Sequence, residues 1–334
     1  MTPHLTPALA NNLLVDLLCT PMAMRADRHG ALVLSVAAAV KSPLALDVST
    51  RGTTPRRAPR RADDGEGDGA EPPAPVEPAE APEVMPWDEP IYEVEQGVAE
   101  IQINGPLVKG YDSFTCWCFG AMSLDRLQAA LDEIAARTDV LAVVLVVRSP
   151  GGMATGTPET AAQVAKLATT KLVVAVTDSQ CCSAAYWIAS AASTVFTTGS
   201  ADVGSVGTYI ALYDYTTMLD QLGIKLELFK RGKYKAIGVM GNPLDEAARA
   251  FLDHDVQRTN DSFVAAVRAA RPGVPASALE GQWFDGAEAV ENKLADEVVS
   301  SVREVKNRVR AGVALSLAAL GAQLASAPAP SASI

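Results

Sequence analysis

The sequence is poor in histidine, with three among 334 residues, and only His254 lies beyond residue 96. A Ser-His-Asp mechanism needs an imidazole as its general base. His254 stands between two aspartates, which is typical of a solvated surface residue. The composition therefore disfavours a histidine base, and a hydrolase built on this chain would have to use Lys, Asp or Glu instead.

Cysteine and positive charge are also scarce. The five cysteines form an odd set, with Cys181 next to Cys182 and with Cys116 and Cys118 flanking one tryptophan. That spacing indicates neither a disulfide framework nor a zinc site, and we expect no metal or other cofactor. The net charge of -11 supplies no basic surface for phosphates, so nucleic acid is not an expected partner.

Long apolar runs are missing as well. The N-terminus lacks the basic start and apolar core of a secretory signal. The most apolar later stretch, residues 312–325, is shorter than the roughly 20 residues that cross a bilayer. We therefore expect a soluble protein without a membrane anchor.

Composition divides the chain into four parts. We expect residues 1–48 to form a small N-terminal element and residues 49–96 to form a disordered linker rich in Pro, Ala, Glu and Arg. The basic half of this linker fits either an interaction patch or a plain solvated segment. We expect residues 97–302 to form the main domain, and residues 303–334 to form a C-terminal helix with a disordered tail from Ala327.

The main domain alternates strands with helices, which predicts an α/β fold with parallel strands and right-handed crossovers. Apolar runs such as LAVVLVV are typical of strands buried on both faces. The predicted strands are 98–103, 140–147, 171–176, 194–197 and 224–229. The predicted helices are 123–138, one from Thr157 with Pro158 first, 183–193, 215–222, and 244–270, which we expect to pack across the sheet.

Ser183 is the candidate nucleophile from the residues alone. It stands where a buried strand gives way to a helix of small residues, and the amides of a helix start favour developing negative charge. A helix-capping serine fits the same stretch. The neighbouring Cys181 and Cys182 lack a histidine that would raise their thiolate character, which favours a buried structural role.

Lys235 is the candidate base. No acidic residue lies between Glu227 and Asp245, and Tyr234, Ala236 and Ile237 adjoin the lysine. A lysine base needs its pKa lowered by about three units, which an apolar environment can supply. A surface lysine in a basic turn fits the segment too.

Gly151 and Gly152 follow a buried strand directly. Glycines let backbone amides approach a ligand closely, as an oxyanion hole requires. A plain strand-to-helix turn fits the same pair equally well.

Three segments in one order carry a resemblance: SPGG at 149–152, SAAYWIAS at 183–190, and GSVG at 204–207 followed by GKYK at 232–235. Together they resemble peptidase family S49, the signal peptide peptidase A family, over about residues 98–302. Within it the segments are most similar to the head-maturation (prohead) proteases of lambda-like phages. The resemblance implies a crotonase/Clp-like fold of repeated ββα units with helices packed on parallel sheets.

The resemblance also implies a function and a site. The function is that of a serine endopeptidase with a Ser-Lys dyad, which processes capsid, portal or scaffold proteins in the host cytoplasm or within the prohead. Ser183 is implied as nucleophile and Lys235 as base, with the amides of Gly152 and Ala184 as oxyanion donors, Gly151 beside them and Ser205 orienting the lysine. A homo-oligomer is implied too.

Three alternatives stay open at this point. A catalytically silent assembly or scaffold protein keeps the fold without the activity. A bacterial peptidase that degrades signal peptides shares the motifs, although such enzymes usually carry a membrane anchor. An acyl-CoA hydratase or hydrolase shares the fold and would have to bind CoA.

Overall fold

The computed structural model describes residues 22–24, Met85 and residues 87–326. The strands are β1 Met22–Met24, β2 Tyr92–Glu95, β3 Val98–Asn104, β4 Leu107–Val108, β5 Met122–Ser123, β6 Ala142–Arg148, β7 Gly151–Met153, β8 Leu172–Thr177, β9 Gln180–Cys182, β10 Thr194–Thr198, β11 Asp202–Gly204, β12 Trp283–Phe284 and β13 Glu297–Val299. The α-helices are α1 Ser113–Cys118, α2 Leu124–Ala136, α3 Thr157–Leu167, α4 Ala184–Ser190, α5 Thr216–Gln221, α6 Glu246–Ala270, α7 Gly286–Glu291 and α8 Val302–Ser326.

A six-stranded sheet lies at the centre, in the order β13-β10-β8-β6-β3-β2. All neighbours are parallel except β2, which pairs antiparallel with β3 at the edge. The apolar runs of β6 and β8 stand in the middle, because residues buried on both faces of a sheet need apolar side chains throughout.

The two faces of this sheet are covered by different helices. Val143, Leu145 and Val147 of β6 belong to the core cluster formed with α2, α3, α4 and α6. The alternate residues of β6 pack instead against valines of α8 at helical spacing, which are Val302, Val305, Val309 and Val313. The sheet is therefore the middle of three layers, and the predicted α/β fold class with helices packed on a parallel sheet is confirmed.

Two small sheets stand at the carboxyl ends of the central strands. One has the order β1-β7-β4-β5 and the other β12-β11-β9. Both begin where a central strand ends, since β7 follows β6 and β9 follows β8. The strand ends of an open α/β sheet are the usual place for ligands, so these small sheets frame the candidate site.

Several predicted elements differ from the structure. Residues 224–229 form no strand, and Leu226, Leu228 and Phe229 are exposed. The helix predicted to cross the sheet packs instead on α4, where Phe263 of α6 stacks on Trp187 with the ring centroids 4.5 Å apart. Helix α3 begins at Thr157 with Gly156 as N-cap, so that Pro158 is its second residue.

The linker was predicted over residues 49–96, but β2 (Tyr92–Glu95) lies inside that range. Tyr92 and Val94 alternate with glutamates and pack against the core next to β3, so these residues belong to the central sheet. The predictions for the other residues of 1–48, for 49–84 and for the tail from Ala327 fall outside the described residues. In the part of the chain that the structure describes, no helix is both long and apolar enough to cross a membrane.

Candidate active site

Ser183 occupies the sharp turn from β9 into α4. Its φ of 55° and ψ of -124° are unusual for a residue with a side chain, and such strain costs about 1–3 kcal/mol. Backbone hydrogen bonds hold it there: its N–H donates to the Gly204 carbonyl at 2.7 Å, and the Trp187 N–H donates to its carbonyl at 2.8 Å. The backbone of this serine is therefore fixed in a conformation that the residue alone disfavours.

The Ser183 hydroxyl is buried and unused. The residue is 1% exposed, and its Oγ has no hydrogen-bond partner among the described residues. Ser183 is the N-cap residue of α4, but its hydroxyl makes no capping hydrogen bond, which argues against the alternative of a helix-capping side chain. An unpaired buried hydroxyl costs stability, so a structural hydrogen bond does not explain this serine.

Gly151 and Gly152 reach the same sheet edge as Ser183. Ser149, at the end of β6, forms a parallel bridge with Cys181, and the Cys182 N–H donates to the Ser149 carbonyl at 3.2 Å. Two residues after this bridge, the segment that contains Ser149 reaches Gly151, and the segment that contains Cys181 reaches Ser183. The Ser149 hydroxyl accepts a hydrogen bond from the Gly151 N–H at 3.2 Å and so fixes the turn.

Each of the two glycines is required by geometry. Gly151 has a φ of 100°, in the region that favours glycine. Gly152 pairs with Leu107 of β4, and a Cβ at this glycine would lie 2.0 Å from the Leu107 carbonyl oxygen. β7 therefore presents backbone without side chains at Gly151 and Gly152, beside the Ser183 turn.

Ser205 follows β11 as Ser183 follows β9. The two strands are parallel with Gly204 opposite Cys182, so the serines occupy corresponding positions at their ends. Ser205 also has a positive φ, 53°, and its N–H donates to the Gln282 carbonyl at 2.7 Å. It borders a cleft of about 410 Å³ that extends to Tyr209 and Trp283. The structure thus places Ser205 next to the Ser183 turn.

Lys235 is not brought to this site within one chain. It is exposed in the segment between α5 and α6, and no hydrogen bond joins it to the Ser183 hydroxyl. The apolar environment expected for this lysine is therefore absent within the described chain. The segment is held to α6 through Tyr234, whose ring stacks on Phe251 with the centroids 4.9 Å apart.

The cysteines near the site are structural. Burial raises the pKa of Cys181 well above its usual value, so its thiol stays protonated, and the Cys182 Sγ contacts the Asp202 carbonyl at 3.5 Å. Burial likewise raises the pKa of Cys116 to about 11. Among the described residues no group of three His, Cys, Asp or Glu side chains stands close enough to hold a metal ion.

Sequence reasoning did not select Ser149, Leu107 or the segment Met22–Met24. Ser149 stands in the SPGG motif at the end of a buried strand, which was the available signal for its position. Leu107 and Met22–Met24 act through strand pairing with β7, and pairing between distant segments leaves no local signal in the sequence.

Comparison with known proteins adds to this geometry. Residues 165–316 match the model of peptidase family S49. The resemblance to this family is confirmed. The S49 match includes Ser183, Ser205 and Lys235, whereas Gly151 and Gly152 precede it.

Two phage proteins are among the S49-like chain's relatives. The head-tail preconnector protein GP5 of Enterobacteria phage P21 is 28% identical over 214 residues, which cover 63% of this chain and 42% of GP5. The capsid assembly protease C of Escherichia phage lambda is 29% identical over 213 residues, with coverage of 63% and 48%. The chain thus spans less than half the length of either relative.

Among solved structures, an enoyl-CoA hydratase/isomerase from Marinobacter aquaeolei matches the S49-like chain with a TM-score of 0.38 and 15% identity. The match covers 67% of this chain and 75% of that one.

Proposed function

We propose that this chain is a serine endopeptidase with Ser183 as nucleophile and Lys235 as general base. The observation that carries the proposal is the Ser183 hydroxyl, which is buried, without a hydrogen-bond partner among the described residues, and held in a strained turn beside Gly151 and Gly152. The match to family S49 and the similarity to a capsid assembly protease support it.

The proposed reaction uses these residues as follows. Lys235, as the neutral amine, accepts the Ser183 proton while the hydroxyl oxygen attacks a peptide carbonyl. The amides of Gly152 and Ala184 donate hydrogen bonds to the oxyanion that forms. The protonated lysine then gives its proton to the leaving amine, and water releases the acyl group from Ser183.

Lys235 reaches an apolar environment when its segment packs against another surface. Several large apolar side chains near it in sequence are exposed, among them Leu226, Leu228, Phe229 and Met240, and we call this set the exposed apolar cluster. A soluble monomer rarely exposes such a cluster, so the cluster marks an interaction site. We infer a homo-oligomer in which this segment is covered and the lysine meets a Ser183 hydroxyl, with Ser205 orienting the amine.

The substrates we propose are capsid, portal or scaffold proteins of a phage head, cut in the host cytoplasm or within the prohead. The similarity to a head-tail preconnector protein and to a capsid assembly protease supports this class. Residues 97–302 would carry the peptidase site, with the N-terminal element, the linker and the C-terminal region outside it.

The direct test is cleavage of an unfolded protein by the purified chain, compared with Ser183→Ala and the control Ser190→Ala. Ser190 is also buried, but its hydroxyl donates to the Trp187 carbonyl at 2.9 Å within α4. We expect wild type and Ser190→Ala to produce fragments and Ser183→Ala to produce none. Equal cleavage by Ser183→Ala, or no cleavage by wild type, contradicts the proposal.

A further inference from the structure

A segment from the N-terminal part of the chain lies on the strand beside the nucleophile. β1, residues Met22–Met24, pairs antiparallel with β7, with Met22 opposite Met153, Ala23 opposite Gly152 and Met24 opposite Gly151. It forms the edge of the sheet β1-β7-β4-β5. A segment distant in sequence thus covers the glycine pair of the candidate site.

This edge is the one that an extended peptide would use to reach Ser183. The other side of β7 is already paired with β4 through Leu107 and Gly152, so β7 has one side left for a partner strand. Helix α4, which begins just after Ser183, packs against β7. The two glycines carry no side chains, which lets a partner backbone approach closely, as in recognition by strand addition.

We propose that Met22–Met24 is a built-in competitor that occupies this edge and must leave before a protein substrate can bind as an extended strand. The inference rests on the proposed peptidase function, because it identifies the β7 edge as the substrate-binding strand. The ligand class is an extended polypeptide backbone that pairs antiparallel with Gly151–Met153.

The shortness of β1 makes the occupant exchangeable. The pairing involves three residues, and so short a strand gains little from backbone hydrogen bonds. A substrate at high local concentration in an assembly can therefore replace the segment.

The test measures peptide binding to the full chain carrying Ser183→Ala, so that no cleavage intervenes. The probe is a fluorescent peptide with the sequence of residues 20–27, TPMAMRAD, followed by anisotropy. Donors alternate along an antiparallel strand, so either Ala23 or the pair Met22 and Met24 donates to β7. The variants are therefore Ala23→Pro and the double variant Met22→Pro with Met24→Pro, and Ala31→Pro is the control.

We expect at least one of the two proline variants to bind the peptide about tenfold more tightly than the parent. A tenfold gain is expected if β1 occupies the edge in about nine-tenths of the parent molecules, because only the remaining tenth can then bind peptide. In that variant the amides of residues 151–153 should exchange hydrogen faster, and added peptide should restore their protection. Ala31→Pro should match the parent in both measurements.

Equal peptide affinity and equal exchange in all four chains would overturn the inference, as would a peptide that binds none of them. Both readouts report strand pairing and neither needs catalysis. A chain that shows the expected exchange of occupants but cuts no protein therefore contradicts the peptidase proposal alone.

Discussion

At the scale of single residues, Ser183 combines two costs that a structural serine avoids. Its backbone has a positive φ, and its buried hydroxyl has no partner among the described residues. Proteins keep such costs where the strained group serves a function, because the rest of the structure can stabilise it. These two unfavourable features are therefore the main structural argument that Ser183 has a function.

Removing the hydroxyl should therefore stabilise the protein. We expect Ser183→Ala to raise the free energy of unfolding by about 1 kcal/mol, since it deletes an unpaired buried polar group. The contrasting variant is Thr160→Val, because the Thr160 hydroxyl donates to the Gly156 carbonyl at 2.7 Å and accepts from Gln128 at 2.9 Å. It should lose about 1–2 kcal/mol. Urea denaturation measures both, and a loss in Ser183→Ala would show that its hydroxyl has a structural bond.

Gly152 illustrates a different constraint, close approach of two backbones. Its Cβ would meet the Leu107 carbonyl oxygen at 2.0 Å, and a backbone atom cannot move aside as a side chain can. We expect Gly152→Ala to cost about 3 kcal/mol or to displace β7, with loss of cleavage in either case. Gly199→Ala is the control, because no atom lies within 4 Å of a Cβ there. Unchanged stability and activity in Gly152→Ala would refute the assigned packing.

At the scale of elements, α6 carries two phenylalanines with different tasks. Phe263 is fully buried against Trp187 of α4, whereas Phe251 is 46% exposed and stacks on Tyr234, next to Lys235. One ring therefore supports the core, and the other holds the segment that carries the proposed base.

Substitution of Phe263 should affect mainly stability, whereas substitution of Phe251 should affect mainly activity. Phe263→Ala should lower the free energy of unfolding by about 3–5 kcal/mol, as expected for a large buried side chain. Phe251→Ala should change it by less than about 1 kcal/mol but lower kcat/KM about tenfold, because misplaced catalytic groups lose rate steeply. Thermal unfolding and peptide-cleavage assays measure the pair. Full activity in Phe251→Ala would show that the Tyr234 stack does not position Lys235.

The elements also show where sequence reasoning succeeds. The central strands β6 and β8 were predictable because each is an apolar run with polar residues at its end. β3 alternates apolar and polar side chains over most of its length, and β10 is short and consists of threonine, valine and phenylalanine, which is also typical of strands. Ser183 and the glycine pair were candidates from the residues alone because they follow buried strands, whereas Ser205 was implied only by the resemblance to family S49.

The errors have physical causes. Residues 224–229 alternate apolar and polar side chains as a strand does, but the pattern reports an apolar face and not what covers it. The pairing of β1 with β7 depends on contacts between distant segments. The position of Lys235 relative to Ser183 was unpredictable because the lysine lies in the irregular segment between α5 and α6, and no periodic pattern in the sequence predicts where such a segment lies.

At the scale of the whole molecule, the exposed apolar cluster should join copies of the chain. Phe229 is 90% exposed within it. We expect Phe229→Asp to shift the protein to a smaller species in sedimentation velocity without lowering its unfolding midpoint. Leu315→Asp is the control, since Leu315 is 72% exposed on α8, away from that cluster in sequence. A monomeric wild type, or an unchanged oligomer in Phe229→Asp, would refute this role.

Intact-mass spectrometry of capsid, portal and scaffold proteins co-expressed with wild type, Ser183→Ala or Lys235→Ala tests whether Ser183 and Lys235 together cut phage head proteins. We predict shortened head proteins with wild type alone and full-length masses with both variants. The same fragments with either variant, or full-length masses throughout, would contradict this prediction.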